Sequence, residues 1–184
     1  MKIISIIITF FLFLLVSACD QTLNKAGAKE IPHPTTIRFA SYNVSMFRKE
    51  EGQLQKDLES GTDVQIQNVA TVIQKVRPDV IALLEFDYDK SGDLLQYFRK
   101  NYLAKGQHGE KGINYQYQIQ VPSNTGMASG VDYNNDGKVA LPNDAFGFGR
   151  YEGQYAFALL SKFPIEEAMI RSCLLYTSPS PRDS

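Results

Sequence analysis

Arg77-Pro78-Asp79-Val80-Ile81-Ala82-Leu83-Leu84-Glu85-Phe86-Asp87 decides how the rest of this chain is read. Val80 to Leu84 is continuously apolar, Phe86 lies just beyond, and only Glu85 interrupts the run before the polar Asp87-Tyr88-Asp89. A short apolar run between Pro78 and such a polar stop predicts a buried strand. A carboxylate at the end of that strand is costly to bury without a cation or hydrogen-bond donors. Glu85 is therefore either an acidic residue where the strand emerges into water or a group with a partner. Upstream, Ile37-Arg38-Phe39-Ala40-Ser41-Tyr42-Asn43-Val44 reads as a second strand with Asn43 near its end.

Strand-Asn, then helix, then Pro-Asp-strand-Glu resembles the start of the endonuclease/exonuclease/phosphatase superfamily, metal-dependent phosphoesterases related to pancreatic deoxyribonuclease. A third match lies at Gly153 to Ile165, where Phe157-Ala158-Leu159-Leu160-Ser161-Lys162-Phe163-Pro164-Ile165 is similar to the family's strand ending in Leu-Ser-basic-aromatic-Pro-Ile. The resemblance covers Ile37 to Ile170. It implies an α+β fold, the first half of a four-layer α/β/β/α sandwich. It also implies a phosphoester substrate and Mg2+ or Mn2+ as cofactor. On this pattern Asn43 and Glu85 are the catalytic pair: Glu85 binds the metal, and Asn43 orients Glu85 or bonds a phosphate oxygen. The family's remaining groups are an Asp-x-Asn pair, a histidine with its orienting Asp, and a late Asp-His. None can be placed here, and no histidine follows Ile165.

The two ends read differently from the middle. Residues 1–18 have the character of an export signal, with Lys2 followed by the apolar run Ile3 to Val16. Val16-Ser17-Ala18-Cys19 resembles a bacterial lipobox, so Cys19 is the expected lipidation site and the chain is expected to be exported and lipid-anchored to the bacterial cell membrane or outer membrane, facing periplasm or exterior. Several acyl chains, at about 0.8 kcal/mol per buried CH2, give durable anchoring. Residues 19–36 are polar, with Gly27, Pro32 and Pro34, and read as a tether. Residues 172–184, by contrast, resemble the translation of a sequencing adapter, which would make residues 37–171 the N-terminal part of the domain. The two cysteines, Cys19 and Cys173, are then not a disulfide pair. On this reading the first sheet lacks much of its facing partner, and the expectation is a partly folded, inactive fragment.

Charge narrows the partners. Nineteen Lys and Arg against twenty Asp and Glu leave a formal net charge of −1, with no basic block. Strong nonspecific binding to nucleic acid, which draws on neutralised phosphates, is not expected. The expected partners are a phosphoester substrate and, through Cys19, a membrane.

Between the strands, Ser45 to Gly61 is charged, has no sustained apolar stripe and reads as a long loop with room for a helical turn. Ile66, Val69, Val72, Ile73 and Val76 fall at helical spacing, with Asp63 or Thr62 as cap and Pro78 as stop. A further helix is expected over Ser91 to Leu103, burying Leu94, Leu95, Phe98 and Tyr102. Ile113, Tyr115, Tyr117, Ile119 and Val121 alternate with polar residues, which predicts a strand with its apolar face in the core.

Asp132-Tyr133-Asn134-Asn135-Asp136-Gly137 matches the opening of a calcium loop, with oxygens of Asp132, Asn134 and Asp136 before the turn glycine. Asn143 stands at the twelfth position in place of a bidentate Glu, with Asp144 adjacent. A structural Ca2+ clip and a plain turn both remain open here. Phe146 to Gly153 is glycine-rich but lacks the dinucleotide spacing; within it Arg150 is a candidate phosphate ligand. A non-enzymatic, calcium-stabilised surface lipoprotein is the alternative to a phosphoesterase.

Overall fold

A computed structural model describes residues 36–171 of the chain. The lipobox with Cys19, the tether up to Thr35 and the adapter-like stretch from Ser172 lie outside the described residues.

The apolar run becomes strand β2 (Val80–Phe86), and the Asn43 strand becomes β1 (Phe39–Met46). They pair in parallel, with Phe39 opposite Val80 and Asn43 opposite Leu84. Parallel neighbours need a long crossover, and here it carries two helices, α1 (Gln53–Ser60) and α2 (Val64–Val76). The Gly153–Ile165 match contains β4 (Phe157–Ser161), antiparallel to β2. A short β3 (Tyr117–Gln120) pairs with the far edge of β4, giving the order β1-β2-β4-β3. The architecture is α+β.

One face of this sheet is covered. Ile81 and Leu83 of β2 and Ala158 and Leu160 of β4 point into a core completed by the helices, with Leu58, Ile66, Ile73, Phe98 and Tyr102 all buried. α1 is a correction to the loop expected over Ser45–Gly61. Leu54 and Leu58 form a two-residue i, i+4 stripe in charged sequence, and both are buried. α2 runs as its spacing predicts: the Asp63 side chain accepts from Ile66 N at 2.9 Å, and Arg77 closes the helix in a left-handed conformation before Pro78. Its buried stripe differs, however. Val72 and Val76 are each 44% exposed, and Gln74 is buried in their place. The Gln74 amide donates to the carbonyls of Leu103 (2.9 Å) and Lys105 (2.6 Å) and accepts from Gln107 N (3.0 Å).

The helix expected over Ser91–Leu103 is α3 (Asp93–Tyr97) running on into a wider π-helical turn, Phe98–Leu103. Leu94, Leu95, Phe98 and Tyr102 are all buried. The Tyr102 hydroxyl donates to Asp57 O at 2.6 Å and accepts from Asp63 N at 3.1 Å, fastening this turn to α1 and to the start of α2.

The alternating segment departs further from expectation. Only Tyr117–Gln120 is strand, and its polar residues face the covered side of the sheet, because Gln118 pairs with Leu160 and Gln120 with Ala158. Gln118 Oε1 accepts from Arg99 Nη1 at 2.7 Å, and Gln120 Nε2 donates to Asp87 O at 2.9 Å. Ile113 and Tyr115, ahead of the strand, do enter the core. Tyr117 and Ile119 share the opposite face with Leu159, Phe157, Ala82, Leu84, Ser41 and Asn43. Among the described residues no layer covers that face: Phe39, Leu84, Phe157 and Tyr117 are 72%, 42%, 44% and 36% exposed.

Candidate functional site

The C-terminal ends of β1 and β2 depart from regular strand geometry at the same level. From Asn43 to Met46 is three steps along β1, while their partners Leu84 and Phe86 are two steps apart, so β1 carries a bulge. Ser45 in the bulge has φ 47°, and Glu85 across from it has φ 57°. Left-handed backbone costs a non-glycine residue about 1–2 kcal/mol. The cost is met by a change of aim. Simple alternation would send Glu85 into the core after Ile81 and Leu83; Phe86 takes the core position instead, and the Glu85 carboxylate turns back toward β1.

There Asn43 Nδ2 donates to Glu85 Oε1 at 2.7 Å. Asn43 is held in turn: its Oδ1 accepts from Ser45 N at 3.0 Å. Ser45 Oγ lies 3.4 Å from Glu85 Oε2, a weak contact that leaves this oxygen open to a further partner. Asn43 is exposed and Glu85 half-buried, on the uncovered side of the sheet. Ser45 went unnoticed in the sequence, although period-two alternation from Asn43 already places it on the same face.

Beyond Glu85 the chain enters a second polar arrangement that nothing in the sequence signals. Asp87, part of the polar stop that bounds the strand in the sequence, is buried. Its carboxylate accepts from Arg48 N at 3.0 Å and from Tyr155 N at 3.1 Å, and the Tyr151 hydroxyl lies 2.6 Å from its Oδ2. Burial pushes the Asp87 carboxyl up from its ordinary value, against the pull of the Tyr151 hydroxyl and the two backbone donors. Gln154, also buried, accepts from Arg150 N at 2.7 Å and donates to Arg48 O. Arg48 is a structural cation, paired with Asp57 at 2.5 Å and donating to Gln65 Oε1 at 3.0 Å. Together these bonds lock the glycine-rich loop onto the ends of β1 and β2. Gly153, at φ 86°, is required where it stands, because a Cβ there would meet the Tyr88 side chain at 2.9 Å. A cleft of about 600 Å3 opens beside Asp87, between Glu51–Gln55 and Tyr88–Lys90; Asn43 and Glu85 do not line it.

The remaining candidates lie apart. The Arg150 guanidinium is exposed and makes no hydrogen bond or ion pair among the described residues, and nothing joins it to Glu85. Asp132, Asn134 and Asp136 do surround one turn. Asp132 accepts from Gly137 N at 2.8 Å and Asp136 N at 3.2 Å, and Asn134 Nδ2 donates to Asp136 at 3.0 Å. Asp144 is buried and engaged by Tyr133 N (2.8 Å) and Ala140 N (2.7 Å), which pull its carboxyl below the ordinary value, Ala140 foremost. The loop thus closes on its own backbone donors.

Among the described residues no group of three or more His, Cys, Asp or Glu could hold a metal ion. A Mg2+ site need not have one. Mg2+ keeps several waters and takes one or two carboxylates, and Glu85 fits that donor set: an accessible carboxylate, oriented from behind by an amide, with one oxygen only weakly engaged.

Against this geometry stands one comparison. The model of the endonuclease/exonuclease/phosphatase family matches residues 40–183, most of the chain and all of the four strands but the first residue of β1. The chain belongs to that family. Its members are generally hydrolytic enzymes of the phosphoesterase and nuclease type that use divalent metals. No curated protein and no solved structure matches the chain. Among the described residues no helix is long and apolar enough to cross a membrane.

Proposed function

We propose that this protein is a metal-dependent phosphoester hydrolase of phosphodiesterase or nuclease type, in which Glu85 holds Mg2+ or Mn2+ and Asn43 fixes the carboxylate that does so. The observation that carries the reading is the 2.7 Å bond from Asn43 Nδ2 to Glu85 Oε1, made possible by two left-handed residues on adjacent strands. Backbone strain of this kind persists where the surrounding structure enforces it, and it concentrates at functional sites. Both residues lie within the stretch that the family model matches.

When bound, the metal would supply a Lewis acid that neutralises charge developing on a phosphoryl oxygen. The residues in hand do the rest of what the chain shows. Asn43 holds Glu85 Oε1 and leaves Oε2 only weakly engaged by Ser45 Oγ, and Ser45 N fixes the Asn43 amide so that its Nδ2 and not its Oδ1 meets the carboxylate. The Arg150 guanidinium, exposed and without a partner among the described residues, is offered as a phosphate ligand, and Cys19 as the lipid anchor of an exported protein.

Titration with Mn2+, followed by electron paramagnetic resonance, tests the reading directly. One site is expected, lost in Glu85→Gln, with Mg2+ competing for it and with Mg2+-dependent hydrolysis of bis-p-nitrophenyl phosphate tracking the same variant. Manganese binding indifferent to Glu85→Gln would sink it. Stabilisation by Ca2+ that is lost in Asp132→Ala, without any Glu85-dependent metal binding, would favour the calcium-stabilised lipoprotein instead.

A further inference from the structure

Six non-glycine residues of the described chain have positive φ, and three of them lie in the segments around one buried residue, Asp87. Glu85 (φ 57°) lies two residues before Asp87. Ser45 (φ 47°) precedes Met46, whose carbonyl accepts from Asp87 N at 3.1 Å. Tyr155 (φ 58°) gives its own N–H to the Asp87 carboxylate at 3.1 Å. Left-handed non-glycine backbone survives only where neighbours over-determine it. The Asp87 carboxylate bonds to the segments on either side, to Arg48 N beyond the β1 bulge and to Tyr155 N and the Tyr151 hydroxyl before β4.

We propose that Asp87 is the positioning residue of the site, holding Glu85 in the left-handed conformation that turns its carboxylate to Asn43. For its catalytic meaning this rests on the function proposed above; the structural coupling stands separately. Asp87 does not itself reach Glu85. It acts through Phe86, whose N–H is held by Ala156 O at 3.1 Å, and through the two chain segments it clamps on either side. An asparagine would keep the shape of Asp87 but set an amide N–H against one of three converging donors, so at least one strained segment would be released.

A double-mutant cycle on the full chain separates positioning from simple anchoring. Glycine adopts positive φ without penalty, so in a Glu85→Gly background loss of Asp87 releases no strain at that position. Asp87→Asn is expected to lower the folding equilibrium constant at least five-fold more in that background than in the unaltered chain, where the released Glu85 recovers its backbone strain and offsets part of the loss. If Asp87→Asn does not fold alone, Glu85→Gly is expected not to rescue it; cooperative folding of the double variant, or an equal cost in both backgrounds, overturns the proposal. In the folded single variant, the Asn43 side-chain amide proton bonded to Glu85 should move toward the position of a free amide, which loss of a remote anchor would not cause. The cycle reads stability alone. A chain that binds no metal would therefore sink the proposed function and leave this result legible.

Discussion

Asn43 and Glu85 bond at 2.7 Å although they are not partners in the sheet: Asn43 stands opposite Leu84, and the β1 bulge together with the left-handed Glu85 swings the carboxylate back across the strand pair. Oriented ligands bind metal more tightly than free ones, and loss of a supporting group costs about 10–100-fold in affinity. Asn43→Ala is expected to weaken Mn2+ binding about ten-fold while leaving the thermal transition nearly unchanged, because the pair is solvent-accessible. Calorimetric titration checks it, and unaltered affinity would show that Asn43 only fills space.

Glu85 carries strain that glycine would relieve. Glu85→Gly and Glu85→Ala remove the same carboxylate, but only alanine keeps the left-handed penalty of about 1–2 kcal/mol. The glycine variant should be the more stable of the two by about 1 kcal/mol in urea unfolding, and neither should bind Mn2+. Equal stabilities would mean that Glu85 relaxes to ordinary backbone in solution.

Gln74 is a buried amide serving the end of the π-helical turn. Gln74→Leu nearly preserves volume but leaves the Leu103 and Lys105 carbonyls and Gln107 N without this partner. With each buried orphan costing about 1–3 kcal/mol, the variant should lose about 3 kcal/mol of stability. An unfolding midpoint within error of the parent protein would contradict that.

Asp79 ties the beginning of β2 to both of its neighbours. Its carboxylate accepts from Arg38 N at 2.8 Å and from Lys162 Nζ at 2.9 Å, and these hold its titration below the ordinary value of 3.8, the Arg38 bond foremost. Because the folded chain binds this proton less readily than the unfolded one, the contribution is present above pH 3.8 and is lost as pH falls through the depressed folded value. Asp79→Asn should lower stability at neutral pH and flatten the fall on acidification. A parallel acid limb in the variant would remove Asp79 from the cause.

Asp144 organises the loop that contains the calcium-like motif. Asp144→Ala deprives Tyr133 N and Ala140 N of their acceptor. Limited proteolysis should then cut between Val131 and Leu141 several-fold faster, with the core melting as before. A cleavage pattern like that of the parent chain would show that the loop is held by other bonds.

What the sequence by itself determined were features with a local cause. The apolar run Val80–Phe86 has to be buried and extended, Asp63 before an i, i+3, i+4 stripe starts a helix, and Asn43 and Glu85 fall near the ends of successive strands. The motif order was enough to suggest the family. Whether Glu85 meets water or a donor was not legible, because its aim depends on a one-residue bulge in a different strand. α1 was missed because two leucines make a stripe only once a sheet exists to receive them. The face of β3 was misjudged because alternation shows that two faces differ, while the pairing of Gln118 with Leu160 decides which one meets the helices. Asp87 and Gln74 are polar residues that tertiary donors and acceptors made fit for burial, and those partners stand far away along the chain. Contacts of that separation are chosen by the packing of whole elements, so only the folded structure could name them.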